Sequence, residues 1–136
     1  MFQDLGVKFT SELKSPDVAM PHQGEYTQQA YAQQVVDEYK AAGIDPKDVW
    51  LQSFSLADIL YWIENEPDFG KQAVFLDDRV NNPAGYADAI AGMQRLADQG
   101  VRIIAPQLWV LLEVDPDGKI VPSEYAVAAK AAGLDI

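Results

Sequence analysis

Two charged residues two positions apart, Glu12 and Lys14, end an apolar stretch of strand length that begins at Gly6. Successive side chains of a strand point to opposite faces, so Thr10, Glu12 and Lys14 would share one face. The carboxylate and the ammonium group would then lie roughly 7 Å apart along the strand. Charges at the last inward positions of a strand are costly to desolvate unless they serve a function. The spacing predicts either a functional pair or an ordinary surface ion pair on an edge strand, which adds little stability.

Apolar runs and helix caps predict the elements that would position this pair. Three further runs of strand length follow the first strand, at 49–54, 72–77 and 101–106. Residues with helical periodicity lie between the runs. Their predicted starts are Thr27, which would cap a helix over 28–42, Ser55, Asn82 with Pro83, and Pro122 with Ser123. A strong turn signal at 115–118 predicts a small hairpin before the last helix.

Four continuous apolar strands that alternate with helices indicate an α/β fold with a parallel sheet. Crossovers between parallel strands are nearly always right-handed, so each strand and its following helix form one βα unit. The 136 residues can build one domain, but a complete (β/α)8 barrel takes about 250 residues. In such barrels the active site lies at the carboxyl ends of the strands, which is where Glu12 and Lys14 stand.

The composition excludes several classes of function. A net charge of -11 argues against non-specific nucleic-acid binding, which needs clustered Lys and Arg. The absence of cysteine excludes disulfides, thiolate metal sites and a cysteine nucleophile. No apolar stretch has the length of a membrane span, and the first residues lack the features of a signal peptide. Both ends of the sequence read as cut from a longer βα repeat.

Two sequence blocks in this order resemble those of the glycerophosphodiester phosphodiesterases, barrel enzymes of the phosphatidylinositol-specific phospholipase C type. Glu12-Leu13-Lys14 is similar to their E-x-K block, and residues 49–54, Val-Trp-Leu-Gln-Ser-Phe, to their V-x-x-Q-S-F block. The long loop and the helix start at residues 26–29 resemble the larger, GlpQ-like members. The resemblance covers the whole chain and implies four consecutive βα units of a TIM barrel, about strands 4 to 7. It implies one partial phosphodiesterase domain over 1–136.

The resemblance also implies roles for individual residues. Glu12 would bind a divalent cation, Ca²⁺ or Mg²⁺, and Lys14 would act in catalysis by binding the substrate phosphate. These roles suit the chemistry, because hard cations prefer carboxylate oxygen and a phosphodiester needs positive charge where negative charge develops. Gln52 and Phe54 would shape the substrate pocket. The alternatives are a hydrogen-bonded interior amide for Gln52 and simple packing for Phe54.

The sequence departs from the family pattern in what precedes and follows these blocks. The H-R-G start with the first catalytic histidine, the E-x-D metal carboxylates and the second histidine all precede the E-x-K block in the family. The W-T-x-N strand after the seventh helix is also missing, and Ser55 stands where many members have aspartate. We therefore expect the intact enzyme to hydrolyse glycerophosphodiesters to glycerol 3-phosphate and an alcohol, and this truncated chain to be inactive alone.

Three further positions are weaker candidates for the site. His22 lies in the loop after the first strand, where we expect a loop residue that touches substrate. Trp109 follows the fourth strand and could wall the pocket or pack under the hairpin. Asp77 and its neighbour Asp78 end the third strand, where a second metal ligand is conceivable but a solvated charge cluster or a helix cap is favoured.

Two other functions stay open at the level of the sequence. One is a non-catalytic half-barrel that pairs its exposed sheet edges with a second copy, because open parallel edges favour association. The other is a metal-free phosphate-binding module in which Lys14 anchors the anion. The compartment is unknown from the sequence, although relatives in the resembled family are often periplasmic or secreted.

Overall fold

A four-stranded parallel sheet forms the centre of the protein. The computed structural model describes residues 5–136. The sheet consists of β1 (Phe9–Glu12), β2 (Val49–Ser53), β3 (Val74–Asp77) and β4 (Ile103–Pro106), in that spatial order. A separate antiparallel hairpin is made of β5 (Leu112–Val114) and β6 (Ile120–Pro122). The helices are α1 (Gln28–Ala41), α2 (Leu56–Asn65), α3 (Pro67–Gly70), α4 (Pro83–Ala91), α5 (Met93–Asp98) and α6 (Glu124–Ala131).

Strands and helices alternate along the chain, which confirms the predicted α/β class and parallel sheet. Each strand pairs in parallel with the next one in sequence, with Glu12 beside Gln52 and Asp77 beside Pro106. None of the helices within residues 5–136 is long and apolar enough to cross a membrane.

Helix starts follow the predicted capping residues. The side chains of Thr27, Ser55, Asn82 and Ser123 each accept a hydrogen bond from a backbone N–H in the first turn of the following helix. These bonds satisfy backbone donors that have no partner within the helix. The predicted helix that starts at Asn82 and Pro83 is divided in the structure, since Gly92 separates α4 from α5.

The two faces of the sheet have different surroundings. Side chains of one face, including Leu51, Phe75 and Ile104, pack with the buried residues of the helices in a single core cluster. The register places a second set on the opposite face: Thr10, Glu12, Trp50, Gln52, Val74, Leu76, Ile103 and Ala105. None of this second set belongs to the core cluster of the described residues. We call this second surface the open face.

The chain past α6 returns to the edge of the sheet. Asp135 forms a parallel bridge with Ile103. The backbone N–H of Ile104 donates to the Asp135 carbonyl at 2.9 Å, and the N–H of Asp135 donates to the Arg102 carbonyl at 2.8 Å. Asp135 therefore occupies the position of a fifth parallel strand beside β4.

Candidate functional site

Glu12 and Lys14 meet on the open face at the carboxyl end of β1. Lys14 Nζ lies 2.9 Å from Glu12 Oε1, and the side chains are 74% and 24% exposed. Leu13 between them points the other way and is buried in the core, so strand alternation fixes both charges on one side. An ion pair this exposed stabilises a protein by roughly 0 to 1 kcal/mol. Both groups are thus accessible to a ligand without much loss of stability.

Gln52 lies next to Glu12 on the neighbouring strand. The two residues are partners in the parallel register, and the Leu13 N–H donates to the Gln52 carbonyl at 2.8 Å. The Gln52 amide nitrogen donates to the Thr10 hydroxyl. The amide oxygen of Gln52 takes no part in this bond. Sequence reasoning placed Thr10 on this face but gave it no role, and its hydroxyl orients Gln52.

Phe54 continues the open face beyond the end of β2. It is 46% exposed, two residues after Gln52. Trp50 precedes Gln52 on the same face and is partly exposed. Two aromatic residues therefore flank Gln52 in sequence, on the strand next to the one that carries the charged pair.

His22 lies in the loop between β1 and α1, and its contacts are with other residues of that loop and with α1. Its backbone pairs with Tyr26 through two hydrogen bonds, from the His22 N–H at 2.8 Å and from the Tyr26 N–H at 3.3 Å. Together with Met20, Tyr26 and Tyr31 it lines a small, mainly apolar cavity of about 110 Å³. His22 makes no polar contact with Glu12 or Lys14 among residues 5–136, so the structure does not join it to the pair.

Trp109 lies on a single helical turn, Leu108–Val110, directly after β4. Its side chain is 72% exposed, so the expectation that it packs under the hairpin is wrong. Val110, the next residue, is buried in the core instead. Trp109 follows β4, which is separated from β1 by β2 and β3, and its side chain lies on the surface.

Asp77 does not face the candidate site, which corrects the idea that it could supply a second metal ligand. Its carboxylate has no solvent exposure and points into the helix layer. Arg79 Nε donates to Oδ1 and Arg79 Nη2 to Oδ2, each at 2.7 Å, and the Tyr125 hydroxyl donates to Oδ2 at 2.9 Å. Asp77 is thus not a solvated charge, because its helix-face position turns it toward Arg79 and Tyr125. Its Oδ1 also accepts from the Arg79 N–H at 3.2 Å, so it caps the short helical turn Arg79–Asn81, as the sequence favoured.

These contacts shift the pKa of both partners of Asp77. Hydrogen bonding to the carboxylate raises the pKa of the Arg79 guanidinium above its usual value. Burial raises the pKa of the Tyr125 hydroxyl, and the adjacent negative charge of Asp77 raises it further. Arg79 therefore stays charged and Tyr125 stays a neutral donor.

A second buried carboxylate, Asp58, links α1, α2 and β2. Asp58 is 3% exposed. Its carboxylate accepts a hydrogen bond from the Ser53 hydroxyl at 2.9 Å and another from the Gln28 amide at 3.0 Å. The Ser55 hydroxyl accepts from the Asp58 N–H at 3.3 Å. The sequence predicted Ser55 as the start of a helix and gave no signal that Asp58 would join three elements.

The described residues supply only part of a divalent cation site. Glu12 provides a hard oxygen donor at the open face, but no group of three or more His, Asp or Glu side chains within residues 5–136 could hold a metal ion. Ca²⁺ takes six to eight oxygen ligands and Mg²⁺ six. A cation bound at Glu12 would therefore need ligands of other kinds, such as amide or backbone carbonyl oxygens and water, or carboxylates from outside the described residues.

Comparison with known proteins finds a long match to one curated sequence. The chain is 50% identical over 131 residues to an extracellular protein of Arthroderma benhamiae. The match covers 96% of this chain and 54% of that protein, so the chain spans about half the length of the curated relative it matches. No protein family matches the chain. No solved structure is significantly similar to it.

Proposed function

We propose that this chain is the part of a metal-dependent glycerophosphodiester phosphodiesterase that carries the Glu12 and Lys14 pair. The observation that supports the proposal is the position of the pair at the carboxyl end of β1, on the open face and accessible to solvent. Lys14 binds the phosphate of the substrate and stabilises negative charge on it. Glu12 supplies one carboxylate to a Ca²⁺ or Mg²⁺ ion, while Gln52 and Phe54 line the pocket beside them.

The order of the sheet supports a partial TIM barrel of four βα units. Right-handed crossovers that always advance in one direction place every helix on the same face of a sheet. A doubly wound sheet would reverse its order and carry helices on both faces. Here the order is β1-β2-β3-β4, and one face packs with the helices while the other is open. In a closed barrel the open face becomes the interior.

The length of the relative fits the same architecture. Since the 131 aligned residues make up 54% of the relative, its full length is about 240 residues, close to the roughly 250 residues of a complete barrel. Four of eight strands in half of that length is the expected proportion. The groups missing here, a histidine pair and further metal carboxylates, belong in the proposal to the remainder of a longer polypeptide.

The proposed enzyme works outside the cell. Its relative is an extracellular protein. Extracellular calcium-binding modules bind Ca²⁺ with a Kd of about 10⁻⁴ to 10⁻³ M, and such weak binding needs few charged ligands. The zwitterionic or anionic phosphodiester would be met by Lys14 in a chain whose net charge is otherwise strongly negative. In the proposal, the ammonium group of Lys14 and the cation bound by Glu12 together supply the positive charge that the phosphate meets.

Binding to the isolated chain tests the proposal. We expect glycerol 3-phosphate with Ca²⁺ to shift the backbone amide NMR signals of Glu12, Lys14 and Gln52 in the isotope-labelled protein. Lys14→Met should abolish the shifts. Lys8→Met is the matched control, because Lys8 precedes the same strand, is exposed and pairs with Asp48. Equal loss in both variants, or no shift in the wild type, would contradict the proposal.

Two further arms separate the alternatives. Phosphate binding that is indifferent to Ca²⁺ and to Glu12→Gln would favour a metal-free phosphate-binding module. Hydrolysis of glycerophosphocholine by the isolated chain, lost in Glu12→Gln, would confirm the site but show that the essential groups are already present.

A further inference from the structure

A cleft in the helix layer brings together two of the three arginines of the chain. It has a volume of about 680 Å³, opens to solvent, and is lined by Arg79, Asp88, Ala91, Gly92 and Arg95. Gly92 is buried at the junction of α4 and α5. A Cβ at Gly92 would lie 3.1 Å from the Asp88 carbonyl oxygen and 3.5 Å from both Arg79 Nη1 and Arg95 Nη2. The two nitrogens are therefore separated by at most twice that distance, with the space of a missing side chain beside both.

The Arg79 guanidinium is held in one orientation. Its Nε and Nη2 atoms both donate to the buried Asp77 carboxylate, and its central carbon lies 5.5 Å from the centre of the Phe75 ring. The bidentate bond fixes the plane of the group and leaves Nη1 directed to the cleft. Such a preformed donor loses little conformational entropy when it binds a ligand.

Arg95 brings a charge that the described residues leave unpaired. None of the ion pairs within residues 5–136 includes Arg95. Two like charges at this separation repel each other unless an anion lies between them. Arginine pairs suit the oxygen atoms of a phosphate or carboxylate because their N–H groups form a planar fork.

We propose that the cleft formed by Arg79, Gly92 and Arg95 binds a small tetrahedral oxyanion, with phosphate or sulfate chemistry. Arg79 Nη1 and Arg95 Nη2 donate to it, and the absence of a side chain at Gly92 makes room for it. Asp88 lines the same cleft and weakens the binding by repulsion. The site lies on the helix side of the sheet, opposite the Glu12 and Lys14 pair, and is independent of the proposed phosphodiesterase function.

Titration with inorganic phosphate tests the site. We expect shifts of the Gly92 backbone amide and of the Arg79 and Arg95 side-chain N–H signals in NMR spectra. Sodium chloride at equal ionic strength should not reproduce them. Arg95→Gln should weaken phosphate binding by about tenfold or more, because it removes one hydrogen bond from a charged donor to the anion. Arg102→Gln, the matched control at an exposed arginine, should leave it unchanged.

Two more variants guard against indirect effects. Gly92→Ala keeps both charges and a backbone φ of -91° that alanine can adopt, but places a methyl group in the site, and should abolish binding. Because that methyl group also lies 3.1 Å from the Asp88 carbonyl oxygen, the amide signals of α4 and α5 away from the cleft are compared with the wild type and should be unchanged. Asp88→Asn should tighten binding. The proposal is overturned if Arg102→Gln weakens binding as much as Arg95→Gln does, if Gly92→Ala binds as well as the wild type, or if the Gly92 shift disappears in Lys14→Met.

Discussion

Individual carboxylates in this protein have opposite surroundings although they stand at equivalent places in the sequence. Glu12 and Asp77 both end a strand of the same sheet. Glu12 faces the open side and is paired with an exposed lysine, whereas Asp77 faces the helices and receives donors from Arg79 and Tyr125. The direction of one side chain decides between an accessible ligand group and a buried structural ion pair.

We expect Asp77→Asn to destabilise the protein by about 3 kcal/mol, because removing one partner leaves the Arg79 charge without compensation. Urea unfolding of the purified variant measures this loss. Asp78→Asn is the control, since Asp78 is exposed and makes no side-chain cap bond, and should change stability by about 0.5 kcal/mol or less. A loss of the same size in both variants would show that Asp77 has no special role.

At the scale of elements, each strand of the sheet carries two different surfaces. Ile103 and Ile104 are consecutive in β4, yet Ile104 is fully buried in the core cluster and Ile103 lies partly exposed on the open face. Each of the helices α1 to α6 contributes at least one buried residue to that one cluster. The sheet is stabilised mainly from the helix side.

This asymmetry predicts different costs for the same truncation. Ile104→Ala should lower the free energy of unfolding by about 2 to 5 kcal/mol, because it leaves a cavity in the core. Ile103→Ala should cost about 1 kcal/mol or less, because its side chain is already partly in water. Denaturant unfolding at low protein concentration compares the two, and equal losses would mean that both faces are equally packed.

At the scale of the whole molecule, the open face combines apolar and functional residues. Trp50, Val74, Leu76 and Ile103 lie on the same face as Glu12 and Lys14, on the three strands beyond β1. An apolar surface of this kind marks an interface in most soluble proteins. In the proposed barrel the remaining strands cover it, and a second copy of the chain is the other partner that could do so.

We therefore expect the isolated chain to associate reversibly with itself as its concentration rises, as measured by sedimentation equilibrium. Leu76→Lys places a charge on the open face and should shift the chain to monomer. Ala57→Lys adds the same charge at an exposed position of α2 and should have no such effect. A wild-type chain that stays monomeric at high concentration would contradict this role of the open face.

Local signals in the sequence determined the elements of this protein. Caps such as Thr27 and Ser123 and the apolar runs predicted the alternating strands and helices, because capping bonds and side-chain periodicity act over a few residues. Strand alternation also placed Glu12, Lys14 and Gln52 on one face. Their pairing in the structure agrees with that prediction, whereas their roles in catalysis and metal binding stay predictions.

Only the tertiary structure decided which distant groups meet. Tyr125 contacts Asp77, Gln28 binds Asp58, and Arg79 and Arg95 converge on Gly92. These contacts join residues from different elements, and their geometry depends on how helices pack on the sheet. The same packing left Trp109 exposed, because its neighbour Val110 fills the core. Periodicity assigns a residue to a face, but the neighbours across that face come from the assembled fold.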